Sequence, residues 1–425
     1  MKRPAKRPGR EKDSVEPAGT EEPAARQRTI LAINGGSSSI RFALYEAREP
    51  LRRLVHGKVD RLDSAGTTLT LEEGSAGPKS CREIVAADHR TAMGAILDWL
   101  EPRQEFASIA GVGHRVVHGM THTDPERVTP ELLSDLRQLT PYDPDHLPGE
   151  IELIEAFRRR CPEVPQVVCF DTAFHRTLPP VAKRLAIPRR YAAQGVERYG
   201  FHGLSYAYIM EELVRLGDPA ATIGRVILAH LGSGASMAAV RDGKSFDTSM
   251  GFTPTAGLVM STRSGDLDPG LVCFFARTEQ MTASEFQRMV NHESGLLGVS
   301  ETSSDVRELL MRERDDVRAA EAMELFCYSA RKWIGSFAAA LGGLDTLVFA
   351  GGIGENAPLV RSRICDELGF LGVTLSEVRN AESASLISTD TGTVRVRVVR
   401  TDEELMIARS SIRVLELDSL ERPNP

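Results

Sequence analysis

The amino-acid sequence predicts a mixed α/β fold built by internal duplication. Two observations carry this reading. A buried strand, a glycine/serine turn and a second strand open the ordered part of the chain, and the same hairpin returns near its middle. Segments with helix-spaced apolar residues fill the intervals, as an α/β chain requires.

The first copy begins with Thr29-Ile30-Leu31-Ala32-Ile33-Asn34, a β-branched and apolar run. Gly35-Gly36-Ser37-Ser38-Ser39 turns the chain, and Ile40–Tyr45 alternates as the second strand. In the second copy Val226–Leu231 is the strand, Gly232-Ser233-Gly234-Ala235-Ser236 the turn and Met237–Val240 the return strand, followed by Ser245–Thr248. The copies lie far further apart than the repeats of a solenoid. Thr129 caps and Pro130 opens a helix through Leu139. Ala319–Leu341 has helical spacing, and Asp345–Ala350 is a buried strand running into a third glycine-rich turn, Gly351–Asn356. The last helix starts at Thr401-Asp402-Glu403-Glu404, a capping-box spacing that occupies Glu404 and leaves Glu403 free. The break between the halves falls just after Phe174.

Composition narrows the classes of function. The 425-residue chain carries 41% hydrophobic and 26% charged residues with a net charge of −7. That balance offers no basic footprint for nucleic acid. No apolar run approaches the roughly 20 residues that cross a bilayer, so no membrane partner is expected. Six cysteines (Cys81, Cys161, Cys169, Cys273, Cys327, Cys365) lack CxxC spacing, which fits a reducing, cytoplasmic location. Residues 1–27 are charged and Pro-rich without the apolar core of a secretion signal, and are expected to be a disordered extension. Their acidic residues argue against a basic transit peptide.

Three glycine-rich turns after buried strands suit a polyphosphate. Glycine lets backbone N–H groups approach an anion closely, and serine hydroxyls add further donors. None of the turns matches GxxxxGK[ST] or a GxGxxG that opens a Rossmann helix. Phosphate hairpins in duplicate resemble the actin, hexokinase and Hsp70 superfamily. That likeness implies two duplicated ribonuclease H-like (actin-like ATPase) domains with a central cleft for nucleotide. Residues 28–174 plus 402–418 would form the N-terminal domain and 175–401 the C-terminal one.

More specific stretches resemble the acetate kinase (acetokinase) family. They are Asn34–Ser39, Gly113-His114-Arg115-Val116-Val117-His118-Gly119, Phe170-Asp171-Thr172-Ala173-Phe174-His175 and Arg198-Tyr199-Gly200-Phe201-His202-Gly203. Asp247–Gly251, Thr262-Arg263-Ser264-Gly265-Asp266, Gly351–Asn356 and Thr401–Leu405 follow in family order. The resemblance implies an acetate kinase, moving the ATP γ-phosphoryl reversibly to acetate by direct in-line transfer, with Mg²⁺ (or Mn²⁺) and as a homodimer.

Acyl phosphate formation brings a carboxylate against a polyphosphate, so positive charge must surround the transferring group. A guanidinium offers a planar donor fork to either anion. By resemblance Arg115 serves the acetate carboxylate, His202 and Arg263 the phosphoryl group, and Asp171 the catalytic centre. Mg²⁺ takes one or two carboxylates beside substrate phosphates, a role the resemblance gives to Asn34 and Glu403. Val117, Phe201 and Pro254 would line the methyl pocket. On the nucleotide side stand Ser37, Ser39, Arg41, His230, Leu231, Gly232, Ser233, Gly234, Asp305, Val306, Arg307, Gly352, Ile353, Gly354, Glu355 and Asn356. For His230 a structural and an ATP-contacting role stay open, whereas His114, His118 and His175 read as structural.

The chain departs from the family pattern at Arg41, where lysine is usual, and at Tyr142, where a Pro-Leu-His-Asn-Pro loop has its histidine. Ser233 stands for an asparagine, Tyr206 for a histidine and Val306 for an aromatic. These changes border the substrate and nucleotide loops, so propionate or butyrate as acceptor and pyrophosphate as donor remain rivals. A non-catalytic nucleotide-binding protein is the rival from another class, but it would need no charge-neutralising acyl site.

Overall fold

The computed structural model describes residues 28–36, 39–62, 66–74, 77 and 79–417. The extension 1–27 and Ser37 lie outside the described residues. Two sheets organise the chain. The first contains β1 (Thr29–Gly35), β2 (Ser39–Glu46), β3 (Arg52–Asp60), β4 (Thr68–Glu73), β5 (Lys79–Glu83), β6 (Ile109–Val116), β7 (Glu126–Arg127) and β8 (Gln166–Phe170), in the order β5-β4-β3-β2-β1-β6-β8-β7. The second contains β9 (Arg225–Leu231), β10 (Ala235–Arg241), β11 (Lys244–Thr248), β12 (Thr346–Ala350) and β13 (Arg395–Val398), in the order β11-β10-β9-β12-β13.

The duplication is visible strand by strand. β3-β2-β1 is an antiparallel meander and β6 and β8 extend it in parallel. β11-β10-β9 followed by β12 and β13 repeats both the order and the directions. Each central strand is covered on both faces, which is why it reads as an unbroken apolar run. Ile30 and Ala32 of β1 pack on Met406, Ile407 and Ile412 of the C-terminal helix Glu403–Leu415. Leu31 and Ile33 face Leu153 and Phe157 of helix Leu147–Arg160. In the second sheet Ile227 and Ala229 meet Phe326 and Ala330 of helix Val317–Leu341, while Val226 and Leu228 meet Ile209 and Leu213 of helix Gly203–Arg215.

Helices Gly203–Arg215 and Glu403–Leu415 therefore lie between the sheets, joined by the ion pair Glu211–Arg409. The last segment of the chain packs on the first sheet. Two local expectations are corrected. Gly351–Asn356 is a short helix rather than a turn, entered through Gly351 at φ 75°. No capping box forms at the final helix: Asp402 is the cap, accepting from the Leu405 N–H, and Glu404 turns to Asn34 instead.

Candidate active site

The site gathers where parallel strands end, the edge at which α/β sheets hold ligands. β6 delivers Arg115 one residue before its end, and Asp171 follows directly on β8. The Arg115 Nε and Nη2 both donate to Asp171 Oδ2, at 2.9 and 2.6 Å, and Nη1 donates to the Gly35 carbonyl at 2.9 Å. Asp171 Oδ1 is left buried without a partner. Burial raises the Asp171 pKa while Arg115 opposes the shift, and Glu403 adds to it.

The second half contributes a mirrored set. His202 sits at φ 58° immediately before helix Gly203–Arg215, and its ring stacks on His230 with centroids 4.4 Å apart. Each ring is anchored through Nδ1 to a serine, Ser236 for His202 and Ser205 for His230, both at 2.8 Å. Tyr206 Oη lies 2.5 Å from the Ser236 hydroxyl and Thr401 donates to Ser205. The two Nε2 atoms face the loop Gly232–Gly234: a Cβ on Gly234 would lie 3.4 Å from His202 Nε2 and 3.6 Å from Arg263 Nη1. Burial, reinforced by His230, Arg115 and Arg263, holds the His202 pKa well below 6.5. Burial lowers the Arg263 pKa as well, with Asp143 resisting and Arg115 adding.

Asn34, at the end of β1, donates to Glu403 Oε2 at 2.8 Å and to Glu404 Oε1 at 3.0 Å. Burial pushes Glu403 up, but Arg115, His230, Asn34 and Arg41 outweigh it and keep the carboxylate below its usual pKa. Among the described residues no three His, Cys, Asp or Glu side chains form a metal cage. The donor chemistry nonetheless suits Mg²⁺: the unpartnered Asp171 oxygen and the Glu403 carboxylate are hard oxygen ligands.

Beside the loop opens a cleft of about 650 Å³ lined by Gly232, Ser233, Gly234, Arg263, Asp305, Val306, Arg307, Gly352, Ile353 and Asn356, among others. The expected nucleotide residues thus separate into two groups. Leu231 is wholly buried, Gly354 packs against Phe349, and Glu355 accepts from the Gly351 and Thr401 N–H groups, so these three sit behind the residues that line the cleft. Arg41 is exposed opposite Asn34 in the β1–β2 register, and Ser39 begins β2. Val117 and Phe201 are buried in one apolar cluster, with His118 edge-on to Phe201 and Tyr199. Half-buried Pro254 accepts from Arg263 through its carbonyl at 3.2 Å. His114 and His175 are buried and hydrogen-bonded within the framework, to Gln166 and to Ser245 with Phe201.

The acetokinase family model matches residues 29–409. The chain belongs to the acetokinase family. It is 44% identical to an acetate kinase of Rhodopseudomonas palustris over 91% of this chain and 98% of that one. A propionate kinase of Citrobacter rodentium is 43% identical over 91% of this chain and 96% of its own. Among solved structures, a Francisella tularensis propionate kinase superposes with a TM-score of 0.85 at 34% identity, covering 91% of this chain and all of that one. A Porphyromonas gingivalis acetate kinase gives 0.81 at 36% identity, with the same coverage. The chain is a phosphotransferase with a carboxyl group as acceptor, on the fold of these kinases.

Three groups largely withdrawn from solvent are not legible in the sequence. His146 lies on Arg263, Asp143 holds His146, and Glu150 accepts from the Val117 N–H at 3.0 Å. Burial pushes Glu150 up to about 8 despite Arg115 nearby. Glu150 sits within the helix after the Tyr142 loop, where an acid reads as ordinary surface charge. Nothing local distinguishes it.

Proposed function

We propose that the protein is an acetate kinase, moving the γ-phosphoryl of ATP reversibly onto acetate by direct in-line transfer. One observation carries the reading: Arg115, His202 and Arg263 converge with a buried acid, Asp171, beside a glycine loop at the mouth of a nucleotide-sized cleft. In this reading Gly232–Gly234 holds the polyphosphate and Asp305–Arg307 with Gly352–Asn356 holds the adenosine side. Arg115 orients the carboxylate, and Val117, Phe201 and Pro254 enclose the methyl group. Tyr206 donates to Ser236 and Ser236 to His202 Nδ1, which leaves the ring proton on Nε2, facing the transferring group. A neutral His202 donates that proton as a hydrogen bond to an equatorial oxygen, while Arg263 balances its charge. Asn34, Glu403 and Asp171 would hold Mg²⁺, which would supply positive charge against the polyphosphate. Val306 leaves the adenine face covered by an aliphatic rather than an aromatic group.

Propionate is the second reading, favoured by relatives named for that acid at nearly the same identity. One methylene is worth only about 1–3 kcal/mol of discrimination, so the pocket must be tested directly. Assembly as a cytoplasmic homodimer belongs to the same proposal. Helix Gly270–Thr278 supports it, because none of its residues is buried and Val272 and Phe274 are 43% and 55% exposed. The test is hydroxamate trapping with MgATP or pyrophosphate and acetate, propionate or butyrate in turn. The highest kcat/KM with ATP and acetate supports the proposal. Preference for propionate moves the second reading forward, and no product with any pair sinks both.

A further inference from the structure

The segment between helices Pro130–Leu139 and Leu147–Arg160 belongs to the first half of the chain but reaches the second. Asp145 Oδ2 accepts from Asn291 Nδ2 at 3.1 Å, and Asn291 in turn accepts from Thr255 at 2.6 Å and from Thr262 through its carbonyl at 2.9 Å. Thr262 immediately precedes Arg263. The next residue of the segment, His146, places Nε2 3.5 Å from Arg263 Nη2, while its Nδ1 meets Asp143 Oδ1 at 2.8 Å. Both side chains are withdrawn from solvent, at 10% and 4% exposure.

The direction of these bonds follows from the donor inventory. A carboxylate only accepts, so Asp143 Oδ1 accepts a hydrogen bond from the Nδ1–H, which leaves a lone pair at Nε2. A guanidinium only donates, so Nη2 of Arg263 points its N–H at that lone pair. Nη1 is held separately by the Pro254 carbonyl at 3.2 Å. Two acceptors on two different nitrogens fix the plane of the fork. Among the described residues no carboxylate pairs with Arg263 directly, which leaves its charge for an anionic substrate.

We propose that His146, held by Asp143, is a positioning residue for Arg263, reaching across from the other half of the chain to set the guanidinium against the transferring phosphoryl group. The proposal rests on the role given to Arg263 above. It also provides for the changed loop: with Tyr142 where the family pattern has histidine, the imidazole that meets the arginine comes four residues later. Because the contact spans the two halves, it forms only when segment 143–146 is seated on residues 254–263.

The test is steady-state kinetics of full-length His146→Leu, His146→Gln and Asp143→Asn with ATP and acetate, alongside Arg263→Ala and thermal melts of each. Misplacing a transition-state donor by about 1 Å costs on the order of 100-fold, so His146→Leu is expected to lower kcat by about 10- to 100-fold with KM for acetate changed less than threefold. His146→Gln keeps an acceptor at this position and is expected to recover at least a third of the lost kcat. Asp143→Asn permits the opposite tautomer and is expected to resemble His146→Leu. A His146→Leu kcat within twofold of the parent overturns the proposal. So does a loss that tracks the melting temperature and is not recovered by glutamine. Arg263→Ala retaining activity would instead overturn the reading of Arg263 itself, whatever the His146 variants do.

Discussion

Arg115 is tied to Asp171 through a single carboxylate oxygen, and the other oxygen is buried with no partner. A structural ion pair would use both. The free oxygen suits the catalytic role proposed for Asp171, and that role decides what Asp171→Asn should do. The amide preserves size but replaces the anion, so hydroxamate formation is expected to fall at least 100-fold while the fold survives, read by an unchanged circular dichroism spectrum. Arg115→Ala leaves Asp171 buried without its cation, a change that costs about 3–5 kcal/mol in comparable pairs. Lower activity accompanied by a lower melting temperature is expected there. If Asp171→Asn keeps more than a tenth of the activity, the catalytic placement of Asp171 fails.

The polyphosphate role proposed for loop Gly232–Gly234 needs its two glycines to bring no side chain against the histidines. A Cβ on Gly234 would enter ordinary contact range of His202 and Arg263, which the backbone tolerates but a phosphate in the same space does not. Gly234→Ala is therefore expected to raise KM for ATP at least tenfold with a melting temperature within about 2 °C of the parent. An unchanged KM would remove the phosphate from this loop. The C-terminal helix presents a different dependence. Ile407 is fully buried against the first sheet, four residues after Glu403. Truncation to alanine is expected to destabilise by about 2–5 kcal/mol and to loosen Asn34, Glu403 and Glu404 together. Denaturant melts and the Mg²⁺ concentration needed for half-activity would report the two effects separately.

For the whole molecule, buried titratable groups bracket the pH of greatest stability. His114 and His175 are held near pKa 4 by burial, against an ordinary 6.5. Below pH 6.5 the unfolded chain binds protons that the folded one refuses, so stability falls from pH 6.5 toward 4. Glu150 is raised to about 8 from 4.5, so the folded state holds a proton that the unfolded state has lost. That stabilisation is complete below pH 4.5 and is lost as pH rises through 8. Melting temperatures of the parent and Glu150→Gln, compared from pH 5 to 9, should diverge in favour of the variant as pH rises; parallel curves would contradict this. The exposed apolar helix Gly270–Thr278 belongs to the same scale. The homodimer proposed above would bury this helix, so Phe274→Asp is expected to give a monomer by light scattering, where the parent gives a dimer, with the melting transition retained.

Much of this protein could be read from its chain because the informative features are local. Strands β1, β9 and β12 are short apolar runs closed by glycine, and the Thr129–Pro130 helix start carries its own cap and proline. The motif blocks named Arg115, Asp171, His202 and Arg263 without reference to any contact. Strand β5 escaped that reading because Lys79–Glu83 is wholly exposed and polar, with no alternation to betray it. The Gly351–Asn356 helix escaped because glycines weigh toward a turn, and only packing beneath β12 winds them. What tertiary structure alone decided is pairing across long separations. Glu404 leaves its capping role for Asn34, 370 residues away, and His146 finds Arg263 from the other half of the chain, 117 residues away. Local spacing specifies which backbone shape each segment favours. Which buried polar groups must satisfy one another is settled only when two sheets close over them, because desolvation makes an unpaired group costly only inside the fold.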